Sequence, residues 1–566
     1  MNILDWLVLG GTLLFIVGYG SWKNRENKDI QSYLLGNKQA NWFTVALSIM
    51  ATQASAITFL SAPGQAYTDG MRFVQFYFGL PLAMIVLSIA VVPIYHRLNV
   101  YTAYEFLEKR FDVKTRVLAA FLFLTQRGLA AGFTIFAPSL ILSSLLGWNI
   151  DLTNILIGTL VVVYTVTGGT KAVSLTQKYQ MAVILVGMVV AGVMVVALLP
   201  EKVSFGNALH MAGKMGKLNA VDLDFDLTSR YNIWSGLIGG FFLALSYFGT
   251  DQSQVQRYLS GSSIGQSRLG LLFNGMVKIP MQFLILLIGA LLYVFYFFNQ
   301  PPVFFNKVVY EKTMNSAYAD ELKSLQDEHS ILFYQRKEAA TALADALGQG
   351  DETSVNSTME GLMELNQQVA AVRERSVAVI KQADPKADTN DTNYIFLTFV
   401  TDYLPAGLVG LLIAVILSAS MSSTSSELNA LASTTVVDIY KRFVKPEASD
   451  RHYVVMSKWI TALWGVYAII FTMFANQLGT LIEAVNILGS LVYGSILGIF
   501  LVAFFLKKIH GKPTFIAAII AQSFILYLFF FTKTPYLWFN VIGCLLVIAF
   551  AWVLNPFFRK PTTTES

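Results

Sequence analysis

Long blocks of apolar residues, separated by short polar stretches, run through most of this chain. They lie at about 3–22, 42–67, 73–96, 115–146, 152–167, 174–199, 232–250, 268–299, 403–438, 455–475, 479–506, 513–531 and 534–556. A helix crosses a hydrocarbon layer about 30 Å thick with roughly 20 apolar residues. The pattern therefore predicts an all-α polytopic membrane protein with about 13 transmembrane helices, the block at 152–167 being the shortest. One segment departs from it. Residues 307–393 are polar and rich in Glu, Gln, Lys and Ala, with a Gly348-Gln349-Gly350-Asp351 break in the middle. Such a composition around a glycine break predicts two helices, about 308–346 and 353–383, joined by a tight turn.

Basic residues set the expected orientation, because short cytoplasmic loops retain Lys and Arg. With the N-terminus outside, the inner loops hold Arg25 and Lys28, Arg97, Lys109, Arg110, Lys114 and Arg116, then Lys171, Lys178 and Arg257. Further on they hold Lys441, Arg442, Lys507, Lys508, Arg559 and Lys560, whereas the short outer turns hold Arg72 and Lys533. The expectation is a multi-pass protein of the plasma (cell inner) membrane, C-terminus cytoplasmic, with the lipid bilayer as its solvent. The helical hairpin would then be an extracytoplasmic insertion. It reads either as a solvated addition or as a docking module for a protein partner. The first apolar block has no basic leader and no small-residue cleavage site, so it is expected to be a retained helix.

Composition agrees. Of 566 residues, 55% are hydrophobic and 13% charged, about half the charge of an ordinary soluble domain. The single cysteine, Cys544, excludes an intrachain disulfide. There is no Cys/His cluster for zinc or iron, and no phosphate loop of the G-x-x-x-x-G-K-S/T kind. No cofactor and no ATP-driven work are expected. An enzyme is the least supported class, since no nucleophile–base–orienter set is apparent. The net charge of +5 matters through the loops that hold it and gives no reason to expect a nucleic acid partner.

Candidate chemistry sits where polar residues interrupt the apolar blocks. Block 403–438 contains Ser420-Met421-Ser422-Ser423-Thr424-Ser425-Ser426-Glu427-Leu428-Asn429. Oxygen ligands without sulfur or imidazole suit a hard cation. Ser422, Ser423, Ser425 and Ser426 share one helix flank. The alternative is that small hydroxyls let helices pack closely and bond back to their own carbonyls. Block 42–67 contains Ala51-Thr52-Gln53-Ala54-Ser55-Ala56-Ile57-Thr58, then Pro63 and Gly64. That is the pattern of a discontinuous membrane helix, whose freed carbonyls can coordinate a cation at a cavity; a close-packed helix seam would read the same way. Four ionisable groups lie within the blocks: Arg127, Lys278 before Pro280, Glu427 and Glu483. Each needs a partner or a function in hydrocarbon. Glu483 reads as an outer-edge structural charge. Arg127 can pair with a buried carboxylate, or clamp an anionic substrate in bidentate fashion; the same choice holds for Lys278.

Four motifs extend the reading. They are Tyr101-Thr102-Ala103-Tyr104-Glu105-Phe106-Leu107-Glu108-Lys109-Arg110-Phe111, Thr167-Gly168-Gly169-Thr170-Lys171-Ala172-Val173, Thr250-Asp251-Gln252-Ser253-Gln254-Val255-Gln256-Arg257-Tyr258-Leu259 and Asp438-Ile439-Tyr440-Lys441. In order and placement they resemble the sodium:solute symporter family, the sodium/glucose, proline, sialic acid, iodide and monocarboxylate carriers. The resemblance implies a LeuT-like core of inverted five-helix repeats. Residues 1–41 would be an extra N-terminal helix and inner loop, 42–200 the first repeat, and 201–506 the second, interrupted by the 307–393 hairpin. Residues 507–566 would hold the last two helices and a short tail.

The resemblance also implies a sodium site made by the carbonyls of Ala51, Ala54 and Ala419 and the hydroxyls of Ser422 and Ser423. Some members hold a second sodium with serines one turn on and an aspartate. Here Ser425 and Ser426 are present, but Gln177 stands where that aspartate is common. Glu427 would supply the missing charge, or else be an inner-vestibule charge paired with Lys178 or Arg257. Matching substrate positions are Ser55, Thr58, Tyr77, Tyr247 and Asn486. Arg127 falls within a turn of the carboxylate-binding arginine of the sialic acid carriers, and Lys278 approximates a lysine of the sugar carriers. The glutamate and glutamine of the glucose-type members are absent, so a glucose-like pocket is not supported.

The expected function is sodium-driven symport of a small polar organic solute by alternating access, with Na+ as the coupling ion. An organic anion leads, such as a sialic-acid-like sugar acid or a monocarboxylate. A neutral sugar or polyol comes second. The rival class is a membrane sensor or receptor acting through a partner at the outer hairpin.

Overall fold

The computed structural model of the protein describes residues 2–23, 38–98, 100–474 and 480–558. Arg25, Lys28, Arg559 and Lys560, used for the orientation, lie outside the described residues. Among those described, the secondary structure is helical apart from one isolated bridge between Ala40 and Gly261. Among the described residues, ten helices are long and apolar enough to cross a membrane. A bent pair, Trp42–Gln53 with Ala56–Asp69, makes up to eleven. The first expected block is the helix Ile3–Lys23, 21 residues long, and the seventh appears as the shorter apolar helix Ser235–Thr250. The expected 13 is reached when these two are counted with the eleven.

Blocks 152–167 and 174–199 belong to one helical element, Ile150–Ala197. The Tyr164 hydroxyl nevertheless bonds the Thr176 hydroxyl, twelve residues on. A straight helix would hold those residues about 18 Å apart, so the element bends sharply between the two spans. Block 403–438 is divided by the sequence Leu404-Pro405-Ala406-Gly407. Ile395–Tyr403 precedes it, and the span proper is Leu408–Val444. Gly407 there has φ +87°, a conformation that favours glycine. The first helix then supplies a cap that the serine helix lacks locally: the Gly407 and Gly410 N–H groups donate to the Asp5 carboxylate at 2.7 and 3.1 Å. A carboxylate is favourable at those orphan donors.

Nearly every residue of Leu408–Thr434 is buried, its hydroxyl run included. A helix buried on all sides occupies the centre of a bundle, and here the broken helix lies beside it. The helix Ile264–Phe298 backs the broken helix in the same direction. An added Cβ on Gly270 would meet Val45, and one on Gly289 would meet the Pro63 carbonyl. Between those contacts, Lys278 lies level with Thr52 and Gln53, at the end of the first half-helix.

The polar segment forms the expected hairpin, Ala319–Gln349 and Glu352–Ala383. Its turn is at Gly350 (φ +72°), and Asp351 caps the second helix through the Thr353 N–H. The first long helix begins later than expected because a short one, Lys307–Met314, comes before it. The hairpin is fastened to the membrane body by Arg336, which donates to the Tyr296 carbonyl at 2.8 Å. Arg373 adds an ion pair to Asp391, which also accepts from the Phe305 N–H. Arg257, expected among the inner-loop charges, is instead 0% exposed, bonded to Ser174 and to the Ser253 carbonyl. An arginine next to a helix end folds inward when hydroxyls and carbonyls are there to receive it.

Candidate functional site

The broken helix is the starting point. Its two halves meet at 60°. Ser55 is extended, and its N–H donates to the Gln53 carbonyl rather than to that of Ala51. The Ala51 carbonyl, relieved of its helical donor, instead accepts from Ser422 Oγ at 3.0 Å. Ser423 Oγ donates to the Ala419 carbonyl at 3.0 Å on the serine helix itself. The five residues expected at the sodium site are all buried, and Ala51 and Ser422 join the two helices. Their donor set is neutral carbonyl and hydroxyl oxygen, which fits a hard monovalent cation.

The second-site residues divide. Gln177 accepts from Ser48 Oγ at 2.5 Å and donates to Ser426 Oγ at 2.8 Å and Thr52 Oγ1 at 3.2 Å. Ser425 bonds back to the Ser422 carbonyl. Glu427 does not join them. Nor does it pair with Lys178 or Arg257: it faces the opposite flank, where one carboxylate oxygen takes Arg127 Nη1 at 2.9 Å and the other takes Thr134 Oγ1 at 2.9 Å. Ser426 is held on Gln177 and Thr52 and Glu427 on Arg127 and Thr134, so the two face different helices.

A cavity of about 100 Å³ lies beside the break. Ser55, Thr58, Tyr77, Arg127, Tyr247 and Asn486, six of the seven expected substrate residues, line it. Arg127 is heavily engaged there. It holds the Asp251 carboxylate through Nε and Nη2, Tyr493 OH through Nη2 and Glu427 through Nη1. Tyr493 OH also donates to Asp251 at 2.8 Å, and the Tyr247 ring lies 5.4 Å from the guanidinium. Four of the five N–H groups of an arginine are thus occupied. The cluster sets two carboxylates against one guanidinium, away from water.

Asp251 and Tyr493 were not among the expected site residues. Asp251 stands at the end of the block 232–250 and reads as part of an inner loop, yet it is 1% exposed. It caps the following helix through the Ser253 N–H at 2.8 Å and turns its other oxygen to Arg127. A carboxylate directly at the end of an apolar block was the available signal. Thr134 and Gln126 also line the cavity, from the helix that carries Arg127.

Lys278, the seventh expected residue, does not line the cavity. Its amine lies 5.4 Å from the centre of the Tyr77 ring, with Tyr77 between it and the cavity. It is 0% exposed, and its Nζ has no hydrogen-bond partner among the described residues. Asn274 and Gln282, one turn before and after on the same face, are also buried with unpartnered amides. Glu483 lies at the start of Leu481–Phe505 and pairs with Arg230 at 3.1 Å.

Comparisons with known proteins give the family and the fold. The model of the sodium:solute symporter family matches residues 33–320 and 372–521. The unmatched interval, 321–371, falls within the hairpin. A sodium-dependent multivitamin transporter of Oryctolagus cuniculus is 24% identical over 89% of this chain and 66% of its own length. The sodium-coupled monocarboxylate transporter 1 of Xenopus laevis is 26% identical over 88% and 67%. The human sodium/iodide cotransporter is 32% identical over 48% of this chain and 42% of its own length. The chain thus spans about two thirds of the first two relatives. Among solved structures, the substrate-bound outward-open state of a Na+-coupled sialic acid symporter superposes with a TM-score of 0.75. That match covers 99% of this chain and 98% of the other at 21% identity, and it shows the fold.

Proposed function

Because this chain belongs to the sodium:solute symporter family, we propose that it is a sodium-coupled symporter carrying a small organic anion by alternating access. The observation that carries the reading is the contact between Ala51 and Ser422. It brings the free carbonyls of a broken helix against a hydroxyl-rich helix beside a small cavity. Sodium at Ala51, Ala54, Ala419, Ser422 and Ser423 fixes the angle between the two half-helices and so shapes the cavity. By linkage, a solute in the cavity then tightens sodium by the same factor. The chain acts as a carrier rather than an enzyme. Residues 42–200 and 201–506 are the two inverted halves, with the hairpin side of the molecule facing outward and the C-terminus cytoplasmic.

Size and polarity narrow the solute. An apolar cavity of about 150 Å³ takes benzene, so one of about 100 Å³ suits a few-carbon monocarboxylate sooner than a sugar acid. Ser55, Thr58 and Asn486 supply hydroxyl and amide partners, and the Tyr77 and Tyr247 rings supply walls. The remaining N–H of Arg127 meets the carboxylate. One observation favours a second reading, a neutral polyol: Arg127 already holds two carboxylates.

The test is uptake into proteoliposomes under an inward sodium gradient, with choline as control, across monocarboxylates, sugar acids, polyols and amino acids. Concentrative, sodium-dependent uptake of monocarboxylates supports the reading. Uptake of polyols alone supports the second. Absence of sodium-dependent uptake across the panel removes both and leaves a receptor role.

A further inference from the structure

On the hairpin side, the chain after Phe205–Lys214 folds over the mouth of the bundle. Lys202 ties this region to the hairpin through Asp345 at 3.6 Å. The Lys217 carbonyl accepts from the Met71 N–H at 2.9 Å, and Gln75 bonds both the Asp222 N–H and the Tyr231 carbonyl. Beneath this cover lies a second cavity, of about 490 Å³. Asp69, Arg72, Lys217, Arg230, Tyr231 and Glu483 line it. Glu483 and Asn486 are one helical turn apart, so the two cavities are stacked along the same helix. Aromatic rings separate them: Phe73 meets Tyr231 at 5.2 Å, and Phe76 meets Tyr77 at 4.8 Å.

The charges of this outer cavity are unevenly satisfied. Glu483 takes Arg230 at 3.1 Å and the Tyr231 hydroxyl at 3.2 Å. Arg72 lies 3.8 Å from Asp222. Lys217 has no carboxylate within ion-pair distance among the described residues. Its amine donates to the Thr68 carbonyl at 2.5 Å and lies 4.4 Å from the centre of the Tyr293 ring. Burial pushes its pKa down to about 8, with Asp69 opposing the shift and Arg72 adding to it. Arg230 is 64% exposed, and an ion pair that open to water is worth about 1 kcal/mol or less. A second carboxylate can therefore exchange with Glu483 on Arg230 at little cost.

We propose that this outer cavity is an anion-docking station: the carboxylate of an incoming solute binds Lys217 and replaces Glu483 on Arg230, undoing the tie between the 215–234 segment and the helix Leu481–Phe505. The inference rests on the organic-anion reading above. It adds a binding step that needs no sodium, since its partners are side chains remote from the Ala51–Ser422 contact.

Two measurements test it, with pyruvate as the probe. In proteoliposomes, Lys217→Gln and Arg230→Gln each raise KM for pyruvate roughly threefold to tenfold with kcat unchanged, and Lys217→Arg restores KM. Glu483→Gln lowers KM, because its carboxylate no longer competes. Ser229 lines the cavity, and the native Cys544 is buried. In the Ser229→Cys variant, pyruvate slows labelling by an impermeant thiol reagent equally in sodium and in choline. Adding Lys217→Gln abolishes that protection. Protection that requires sodium, or an unchanged KM in both Lys217→Gln and Arg230→Gln, overturns the proposal. If no carboxylate is taken up at all, the organic-anion reading falls by itself, and the labelling experiment still decides whether the outer cavity binds anions.

Discussion

Arg127 and Lys278 are both buried basic residues near the same cavity, carried by different helices. Arg127 sits among Asp251, Glu427 and Tyr493, with four N–H groups engaged. Lys278 sits between two unpartnered amides, its amine unbonded behind the Tyr77 ring. Removing an ion from water carries a penalty of several kcal/mol, recovered only by good pairing. In the first case the protein recovers it internally, so the charge belongs to the architecture. In the second no described residue recovers it, so burial favours the neutral amine over the cation.

The sharpest way to break this comparison is Arg127→Met. It leaves Asp251 and Glu427 facing one another in a buried cluster, and we expect a loss of about 3–5 kcal/mol, read as a drop in thermal unfolding temperature in detergent. Wild-type stability in that variant would mean the pairing is not what holds the helices. Glu427→Gln comes next, at about 1–3 kcal/mol, because Asp251 still balances the guanidinium. The sodium Hill coefficient should not move, since Glu427 faces away from Gln177 and Ser426. A lowered coefficient would return Glu427 to the cation site.

Lys278→Met inverts the pattern. An apolar isostere at an unpartnered buried amine should leave stability within about 1 kcal/mol or raise it, while sodium-driven uptake falls. Marked destabilisation would reveal a structural partner for the amine. Ser422→Ala is expected to cost about 0.5–1.5 kcal/mol for one lost hydrogen bond. Its signature is a raised half-saturating sodium concentration with the solute KM, measured at saturating sodium, nearly unchanged. An unaltered sodium dependence would remove Ser422 from the cation site.

Much of the molecule was legible from local pattern. Apolar block length gave the spans, and the Gly348–Asp351 break gave the hairpin turn. The run Ala51–Thr58 announced a helix that the structure bends by 60°. The hydroxyl cluster at 420–426 marked the helix buried at the centre of the bundle. These features follow from hydropathy, helix period and breaker residues, all of which act within a few turns of chain.

Charge partnership was decided by the tertiary structure. Arg127 meets Asp251 at a separation of 124 residues and Glu427 at 300. No short-range pattern selects those two carboxylates over Glu105 or Glu108, which hold Arg116 instead. The same holds for Glu427, whose position beside Ser426 pointed to the cation site until the helix period turned it away. Lys278 was visible as a buried charge, but its lack of a partner was not. The sequence determines that a cation must be buried on a given helix; what meets it depends on how distant helices pack and rotate, because desolvation raises the stakes of every contact while leaving its partner to geometry.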